Sequence, residues 1–132
     1  MAKSRFNEGP GPTQRQLRVS ELIRRRLSDV LNQGDIHDPD LNRLSITVSE
    51  VRCTPDLRVA TAYVLPLGGK DREQALAALR RNRSEIRRVV VRGLQLKFAP
   101  EIRFAIDETF DRLEESRRMF SDENVRRDLD SD

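Results

Sequence analysis

Hydrophobic residues recur at helical spacing near the start of the chain. Those on one face of the helical wheel are Val19, Leu22, Ile23, Leu27, Val30 and Leu31. Thr13 and Gln16 stand at capping-box spacing just before this pattern, and Gly34 stands just after it. The pattern therefore predicts an amphipathic helix between Thr13 and Gly34.

A second type of pattern, with a period of two, follows the first helix. Apolar and polar residues alternate over residues 44–48, and residues 59–65 are rich in β-branched side chains. Residues 54–57 separate the two segments and contain a proline where a type I turn favours one. These segments predict a β-hairpin. The alternation slips between Val48 and Val51, which predicts a β-bulge.

Residues 71–97 carry two further apolar patterns at helical spacing. The apolar side of the second pattern consists of Ile86, Val89, Val90, Gly93 and Leu94. Asn82, Arg83 and Ser84 interrupt the repeat, and Ser84 is a candidate N-cap for the second helix. The segment predicts a basic helix-turn-helix, and the alternation over residues 101–106 predicts a third strand.

The predicted elements follow the order α-β-β-α-α-β. One apolar face on each helix and one on a three-stranded sheet predict a two-layer α+β domain over residues 13–107. The expected core residues are Leu22, Ile23, Leu27, Ile46, Val48, Val64, Val90, Leu94 and Phe104. We expect residues 1–12 to form a flexible arm, residues 108–120 a helical extension and residues 121–132 a disordered acidic tail.

Charge is distributed unevenly along the chain. Residues 1–106 carry 20 basic and 12 acidic side chains, whereas residues 107–132 carry 5 basic and 10 acidic ones. A basic body with an acidic end is typical of proteins that bind a polyanion, most often a nucleic acid. The single Cys53 excludes an intramolecular disulfide, and no secretory leader or long apolar run is visible, so we expect a cytoplasmic protein.

The positive charge is concentrated in the predicted helical pair. Residues 71–97 contain seven arginines and three acidic residues. The expected RNA-binding residues are Arg80, Arg81, Arg83, Ser84, Arg87, Arg88 and Arg92. Backbone amides and the helix dipole at the start of the second helix would favour a phosphate in the same place. The alternative interpretation of this pattern is a solvated basic face.

We expect no catalytic residue, cofactor or metal site. His37 is the only histidine, and residues 35–40 around it are turn formers without a spaced set of ligands or a nucleophile. A glycine-rich phosphate loop is also absent from the sequence. Cys53 is expected to pack rather than to react, and Tyr63 to belong to the core or sheet surface rather than to stack on a base.

The order α-β-β-α-α-β is that of the type II KH domain, a single-stranded RNA-binding module, and several stretches resemble the bacterial ribosome-binding factor A family. These stretches are Val48-Ser49-Glu50-Val51, Pro55-Asp56-Leu57, Ala60-Thr61-Ala62-Tyr63-Val64, Ala99-Pro100-Glu101-Ile102-Arg103-Phe104 with Asp107, and Asp38-Pro39 with Leu41. Together they span most of residues 13–120. The resemblance implies a factor that binds the precursor of the small (30S) ribosomal subunit, assists late maturation and 5′-end processing of 16S rRNA, and is linked to growth in the cold. We also expect a monomer that catalyses no reaction and whose partners include assembly GTPases.

The sequence departs from the KH pattern at the expected site. KH domains hold RNA with a Gly-x-x-Gly loop, because glycine lets backbone amides approach phosphates closely. Since this chain has Asn82, Arg83 and Ser84 at the matching place, we expect the arginines to contribute more than a backbone cradle. The rival function is a basic protein-interaction module that docks an acidic partner such as a GTPase or a ribosomal protein. A nuclease is the third alternative.

Overall fold

The computed structural model describes residues 11–130, except for the side chains of Phe110 and residues 122–130. The elements are α1 (Gln14–Gln33), α2 (Pro39–Arg43), β1 (Ile46–Cys53), β2 (Val59–Pro66), α3 (Arg72–Arg81), α4 (Arg83–Arg92), β3 (Glu101–Ile106) and α5 (Thr109–Asp130). The predicted order α-β-β-α-α-β and the two-layer, type II KH-like α+β class are confirmed, with α2 and α5 as additional helices. Residues 1–10 of the expected arm lie outside the described residues.

The first helix begins and ends as its sequence predicts. The Thr13 side chain accepts a hydrogen bond from the Gln16 amide at 3.1 Å, and the Gln16 side chain accepts one from the Thr13 amide at 2.9 Å. Gln16 also donates to the Cys53 carbonyl at 2.9 Å, which fastens the start of α1 to the end of β1. Gly34 ends the helix with a φ of 69°, a conformation that glycine adopts without steric cost.

The sheet has the strand order β1-β2-β3, with β1 antiparallel and β3 parallel to the central β2. The register of β1 shifts between Val48 and Glu50, so the predicted bulge is confirmed. Because of this extra residue, Val48 and Val51 both face the core although three positions separate them. The turn between the first two strands is closed by the Leu57 amide, which donates to the Thr54 carbonyl at 2.8 Å.

The core lies between one face of the sheet and the inner sides of α1, α3 and α4. Ala60 and Ala62 of the central strand are fully buried, and their small side chains let the helices pack close to the sheet. Seven of the nine expected core residues are buried. The prediction was wrong for Leu22, which is 42% exposed because it lies at the edge of the apolar face of α1. It was also wrong in part for Leu94, which follows α4 and is only half-buried.

The last helix is longer than its sequence suggests. We expected an extension over residues 108–120 and disorder over residues 121–132, whereas α5 continues from Thr109 to Asp130. No proline or glycine interrupts this segment, so the backbone can remain helical although its composition is polar. Residues 131–132 lie outside the described residues. Among residues 11–130, no helix is long and apolar enough to span a membrane.

Candidate nucleic-acid interface

A single residue, Asn82, separates α3 from α4. Its backbone torsions are φ −101° and ψ 16°, so the chain bends here without the left-handed conformation that requires glycine. The Asn82 amide donates to the Ala78 carbonyl at 3.2 Å, and the Asn82 carbonyl accepts from the Ile86 amide at 2.9 Å. Helical hydrogen bonds therefore continue on both sides of the bend. This geometry explains how a side chain can stand where KH domains have glycine.

Ser84 is not the N-cap of α4, contrary to the prediction from the sequence. The helix begins at Arg83, so Ser84 is its second residue, and Asn82 occupies the capping position. The Asn82 side chain makes no hydrogen bond to the amides of α4 and instead donates to the Ala78 carbonyl at 2.8 Å. Because α4 starts directly after α3, no separate turn remains in which a serine could cap.

Asp38, on the loop before α2, fixes this junction from outside. Its Oδ2 atom accepts hydrogen bonds from Asn82 Nδ2 at 2.6 Å and from Arg81 Nη2 at 2.7 Å. Its Oδ1 atom accepts from the amides of Asp40 and Leu41 at 3.0 and 3.4 Å, which caps α2. The hydrogen bond from Asn82, followed by that from Arg81, lowers the pKa of Asp38 from 3.8 to about 2. One carboxylate thus joins α2 to the bend between α3 and α4.

Replacing Asp38 with asparagine will lower the melting temperature at neutral pH, because Asn82 and Arg81 lose their charged acceptor. The difference in Tm between wild type and D38N will shrink as the pH falls from about 4 to about 2. The sign follows from the lowered pKa: the charged Asp38 stabilises the fold above its unfolded-state pKa, and this contribution disappears as the folded-state group is protonated. Thermal melts of both proteins in the same buffers measure the difference.

The matched control for this prediction is Asp40→Asn. The Asp40 carboxylate is 69% exposed and lies 3.8 Å from Arg81, so its replacement should leave the melting temperature nearly unchanged. The other carboxylates titrate in both wild type and variant, so their effect on Tm cancels when the difference in Tm is taken at each pH. A Tm difference between wild type and D38N that stays constant from pH 5 to pH 2 would contradict the role assigned to Asp38.

The seven residues expected to bind RNA fall into two groups in the structure. Arg81 is held by Asp38, and Arg80 Nη2 donates to the Phe104 carbonyl at 3.3 Å. Arg87 donates from Nε to the Pro100 carbonyl at 3.0 Å and from Nη2 to the Ala99 carbonyl at 2.7 Å. These three arginines connect the helical pair to α2 and to β3. Each therefore has a structural task that its sequence position did not reveal.

The other arginines of the expected site are Arg83, Arg88 and Arg92, which we call the α4 arginines. All three are exposed, and none forms an ion pair or hydrogen bond with another residue of the described part of the chain. Ser84 is exposed beside them. Guanidinium groups that no described carboxylate binds directly are available to phosphate oxygens, to which they can bind in bidentate geometry. The α4 arginines are thus the part of the predicted site that remains free for a ligand.

Arg26 of α1 makes a contact with α4 that the sequence did not indicate. Its Nη2 atom donates to the Val89 carbonyl of α4 at 3.2 Å, while its buried Nε atom has no hydrogen-bond partner among the described residues. The guanidinium passes directly over Gly93, where an added Cβ would lie 2.7 Å from Nε. Gly93 is therefore needed so that the Arg26 side chain can lie close to the backbone. The sequence pattern placed Gly93 on the apolar side of the second helix, but α4 ends one residue before it. Arg26 packs α1 against the end of α4.

The concavities of the surface are small. The one between α2 and α3, lined by Asp40, Arg43 and Arg81 among others, holds about 180 Å³, below the range usual for small-molecule sites. Among the side chains that the structure describes, the last of which is Ser121, no group of three acidic, histidine or cysteine residues is arranged to bind a metal ion. Cys53 and Tyr63 are half-buried, and the Arg52 guanidinium lies 5.3 Å from the centroid of the tyrosine ring. The arrangement favours binding at an exposed surface.

Comparisons with known proteins show which proteins this chain is similar to. The ribosome-binding factor A family model matches residues 15–120. A ribosome-binding factor A from Dinoroseobacter shibae is 71% identical over 130 residues, which make up 98% of this chain and 96% of the relative. The solution structure of a Thermotoga maritima protein shares 32% identity with a TM-score of 0.62, over 76% of this chain and 94% of that one. A homology model of the Thermus thermophilus ribosome-binding factor A, fitted into a cryo-EM map of a 30S complex, shares 25% identity with a TM-score of 0.57, over 70% of this chain and 94% of that one.

Proposed function

The chain belongs to the ribosome-binding factor A family, and we propose that it binds the small ribosomal subunit or its precursor through the α4 arginines. In this role it assists late maturation of 16S rRNA, including processing near the 5′ end, without catalysing a reaction itself. The observation that carries the proposal is the set of exposed arginines along α4 that form no ion pair with the residues the structure describes, next to a bend that Asp38 holds in place. The 30S complex of the Thermus thermophilus relative supports the choice of partner.

Electrostatics supports RNA as the ligand of this surface. Each arginine that neutralises a phosphate releases counterions, so the logarithm of the affinity falls with the logarithm of salt by about 0.7 to 0.9 per contact. Co-sedimentation of the protein with purified small subunits over a salt series measures this slope. A steep slope with small subunits and weak binding to large subunits is expected. Binding that is insensitive to salt would contradict the proposal.

A protein partner is the competing proposal, and the surface of α5 is what favours it. Leu113, Met119 and Phe120 of this helix are 57 to 64% exposed, and several exposed apolar side chains on one helix favour a protein interface more than a single one does. An acidic partner, such as an assembly GTPase or a ribosomal protein, would be complementary in charge to residues 1–106, which carry an excess of basic side chains. Such an interface depends less on salt than phosphate contacts do, so the same salt series separates the two proposals.

The proposal also covers the oligomeric state of the protein, its location and its role in growth. We propose a monomer that acts in the cytoplasm, where ribosomal subunits mature, and that supports growth in the cold. A strain that lacks the protein should accumulate 16S rRNA with an unprocessed 5′ end, most strongly at low temperature. Labelled precursor RNA incubated with the protein alone should stay intact, because we assign the cleavage to another enzyme. Cleavage by the purified protein would favour the nuclease alternative.

Deleting residues 121–132 should leave the melting temperature unchanged and tighten binding to small subunits modestly at low salt. The segment carries five acidic and two basic residues, so its removal reduces repulsion from phosphate. The ion pair between Arg72 and Asp111, with Nη2 and Oδ1 3.1 Å apart, holds the start of α5 and is not affected. Filter binding at two salt concentrations measures the change. Weaker binding after the deletion would show that the segment contacts the subunit itself.

A further inference from the structure

Three separate parts of the chain meet at the start of β3. The Glu101 amide donates to the Arg58 carbonyl in the hairpin turn at 2.8 Å, which brings the turn to this end of the sheet. Arg87 of α4 reaches the carbonyls of Ala99 and Pro100 at 2.7 and 3.0 Å. The loop of residues 93–100 is thus held at its last two residues. None of the turn or loop residues belonged to the expected RNA-binding site.

Phe98 projects into solvent directly before this anchored point. The residue is 73% exposed, whereas Pro100, two residues later, is fully buried. The Lys97 Nζ atom lies 5.6 Å from the centroid of the ring. A single exposed apolar residue is ordinary on a protein surface. Phe98 differs because its loop is anchored at the next two residues and a lysine lies beside the ring. The ring therefore remains exposed to solvent while its position is restricted.

Basic side chains lie on the segments that meet at the start of β3. Lys97 lies beside the ring, and Arg58 belongs to the turn that the Glu101 amide contacts. The side chain of Arg58 is 84% exposed and forms a long ion pair with Asp56, at 3.8 Å. The one acidic residue of the β3 start, Glu101, is paired with Arg103 at 2.9 Å. The hydrogen bond from Arg103, with smaller contributions from nearby Arg83 and Arg87, lowers the pKa of Glu101. Glu101 is therefore ionised and held by Arg103, while Lys97 and Arg58 stand exposed at this end of the sheet.

We propose that Phe98 is a stacking platform for an unpaired base of RNA, with Lys97 and Arg58 binding the phosphates beside that base. The inference rests on the proposed function, and it specifies that the RNA bound here is single-stranded. An exposed aromatic face beside basic side chains is the combination with which proteins hold single strands, because every base offers a π face and every linkage a phosphate. Double-stranded RNA would offer the phosphates but keep its bases stacked within the helix.

The test compares wild type with Phe98→Ala on two probes of equal length, a twelve-nucleotide oligoadenylate and an abasic strand. Loss of the ring should weaken binding to oligoadenylate by about fivefold to a hundredfold and leave binding to the abasic strand unchanged. The matched control is Leu67→Ala. Leu67 is 77% exposed and follows the opposite end of the sheet, because β2 and β3 are parallel, so this variant should bind both strands like wild type.

A second variant keeps the aromatic ring and reports on stacking directly. The chain contains no tryptophan, so Phe98→Trp introduces a single tryptophan at the proposed platform, and its fluorescence can be excited separately from that of Tyr63. This variant should bind oligoadenylate at least as tightly as wild type, and its fluorescence should be quenched by oligoadenylate and by small subunits. Leu67→Trp provides the control, with a fluorescence that neither probe changes.

The outcomes distinguish this inference from the proposed function. If wild type binds small subunits but the Phe98→Ala variant matches it on both strands and Phe98→Trp is not quenched, the stacking platform is wrong and the proposed function stands. If wild type does not bind small subunits at all, the proposed function fails, and the inference fails with it. If Phe98→Ala loses binding to a polyglutamate probe but keeps its binding to RNA, the ring belongs to a protein interface.

Discussion

Changing the α4 arginines, Arg83, Arg88 and Arg92, together to glutamate will abolish co-sedimentation with small ribosomal subunits. Three attractions to phosphate become three repulsions at the surface that we propose binds RNA. The fold should persist, because these side chains form no ion pair or hydrogen bond with the residues that the structure describes. Glutamate at Arg83 suits the start of α4, whereas glutamate at Arg92 opposes the dipole at its end, so the two effects offset.

A neutral variant with glutamine at the same three positions tests how many phosphate contacts the α4 arginines make. If each α4 arginine contacts one phosphate, the slope of log affinity against log salt should become shallower by about 2 to 3. A variant with lysine at the three positions keeps the charge but not the bidentate geometry, and it should bind with intermediate affinity. The order wild type, lysine, glutamine, glutamate is thus the expected ranking at every salt concentration.

The control for this prediction makes the same change in net charge on a different helix, α1. Arg15, Arg18 and Arg25 are exposed along α1, and their joint replacement by glutamate should have a much smaller effect on binding. Circular dichroism and thermal melts establish that both triple variants are folded. A folded α4 variant that still sediments with small subunits like wild type would show that α4 is not the RNA-binding surface.

The structure changes which arginines this experiment includes. Judged by sequence, Arg87 and Arg81 are equivalent to Arg83 and Arg88, since all are basic residues near the helical bend. The structure separates them, because Arg87 binds the carbonyls before β3 and Arg81 binds Asp38. Replacing either would disturb the fold and RNA binding together. Partners that lie 12 to 43 positions away in the chain carry this distinction, and no local pattern records them.

The fold could be predicted further than the site because its signals are local. The capping box at Thr13, the glycine at position 34 and the slip of alternation after Val48 each depend on a few neighbouring residues, and the structure contains all three features. Ser84 failed as a cap because the torsions of Asn82 let two helices join with one residue between them. The contacts of Asp38 with Arg81 and Asn82 and the exposure of Phe98 had no local signal, because tertiary structure decides both.

The edge of a helical face is also set by tertiary packing. Leu22 and Leu27 both belong to the apolar pattern of α1, and periodicity alone treats them alike. In the structure Leu27 is fully buried, whereas Leu22 is 42% exposed. The helical wheel gives the direction of the apolar face, but the position of the neighbouring elements decides how much of that face is covered.

Truncating Leu27 to alanine will therefore destabilise the protein by about 2 to 5 kcal/mol, because the lost methyl groups leave a cavity that a close-packed core fills only in part. This corresponds to a decrease in Tm of about 10 to 20 °C. Leu22→Ala is the matched control, since it makes the same substitution in the same helix with the same change in helix propensity, and it should change the stability by only about 0.5 kcal/mol. Denaturant unfolding of the two variants measures both values. Equal destabilisation by the two would mean that α1 packs in a different rotation about its axis, which would also displace Arg26 from its contact with α4.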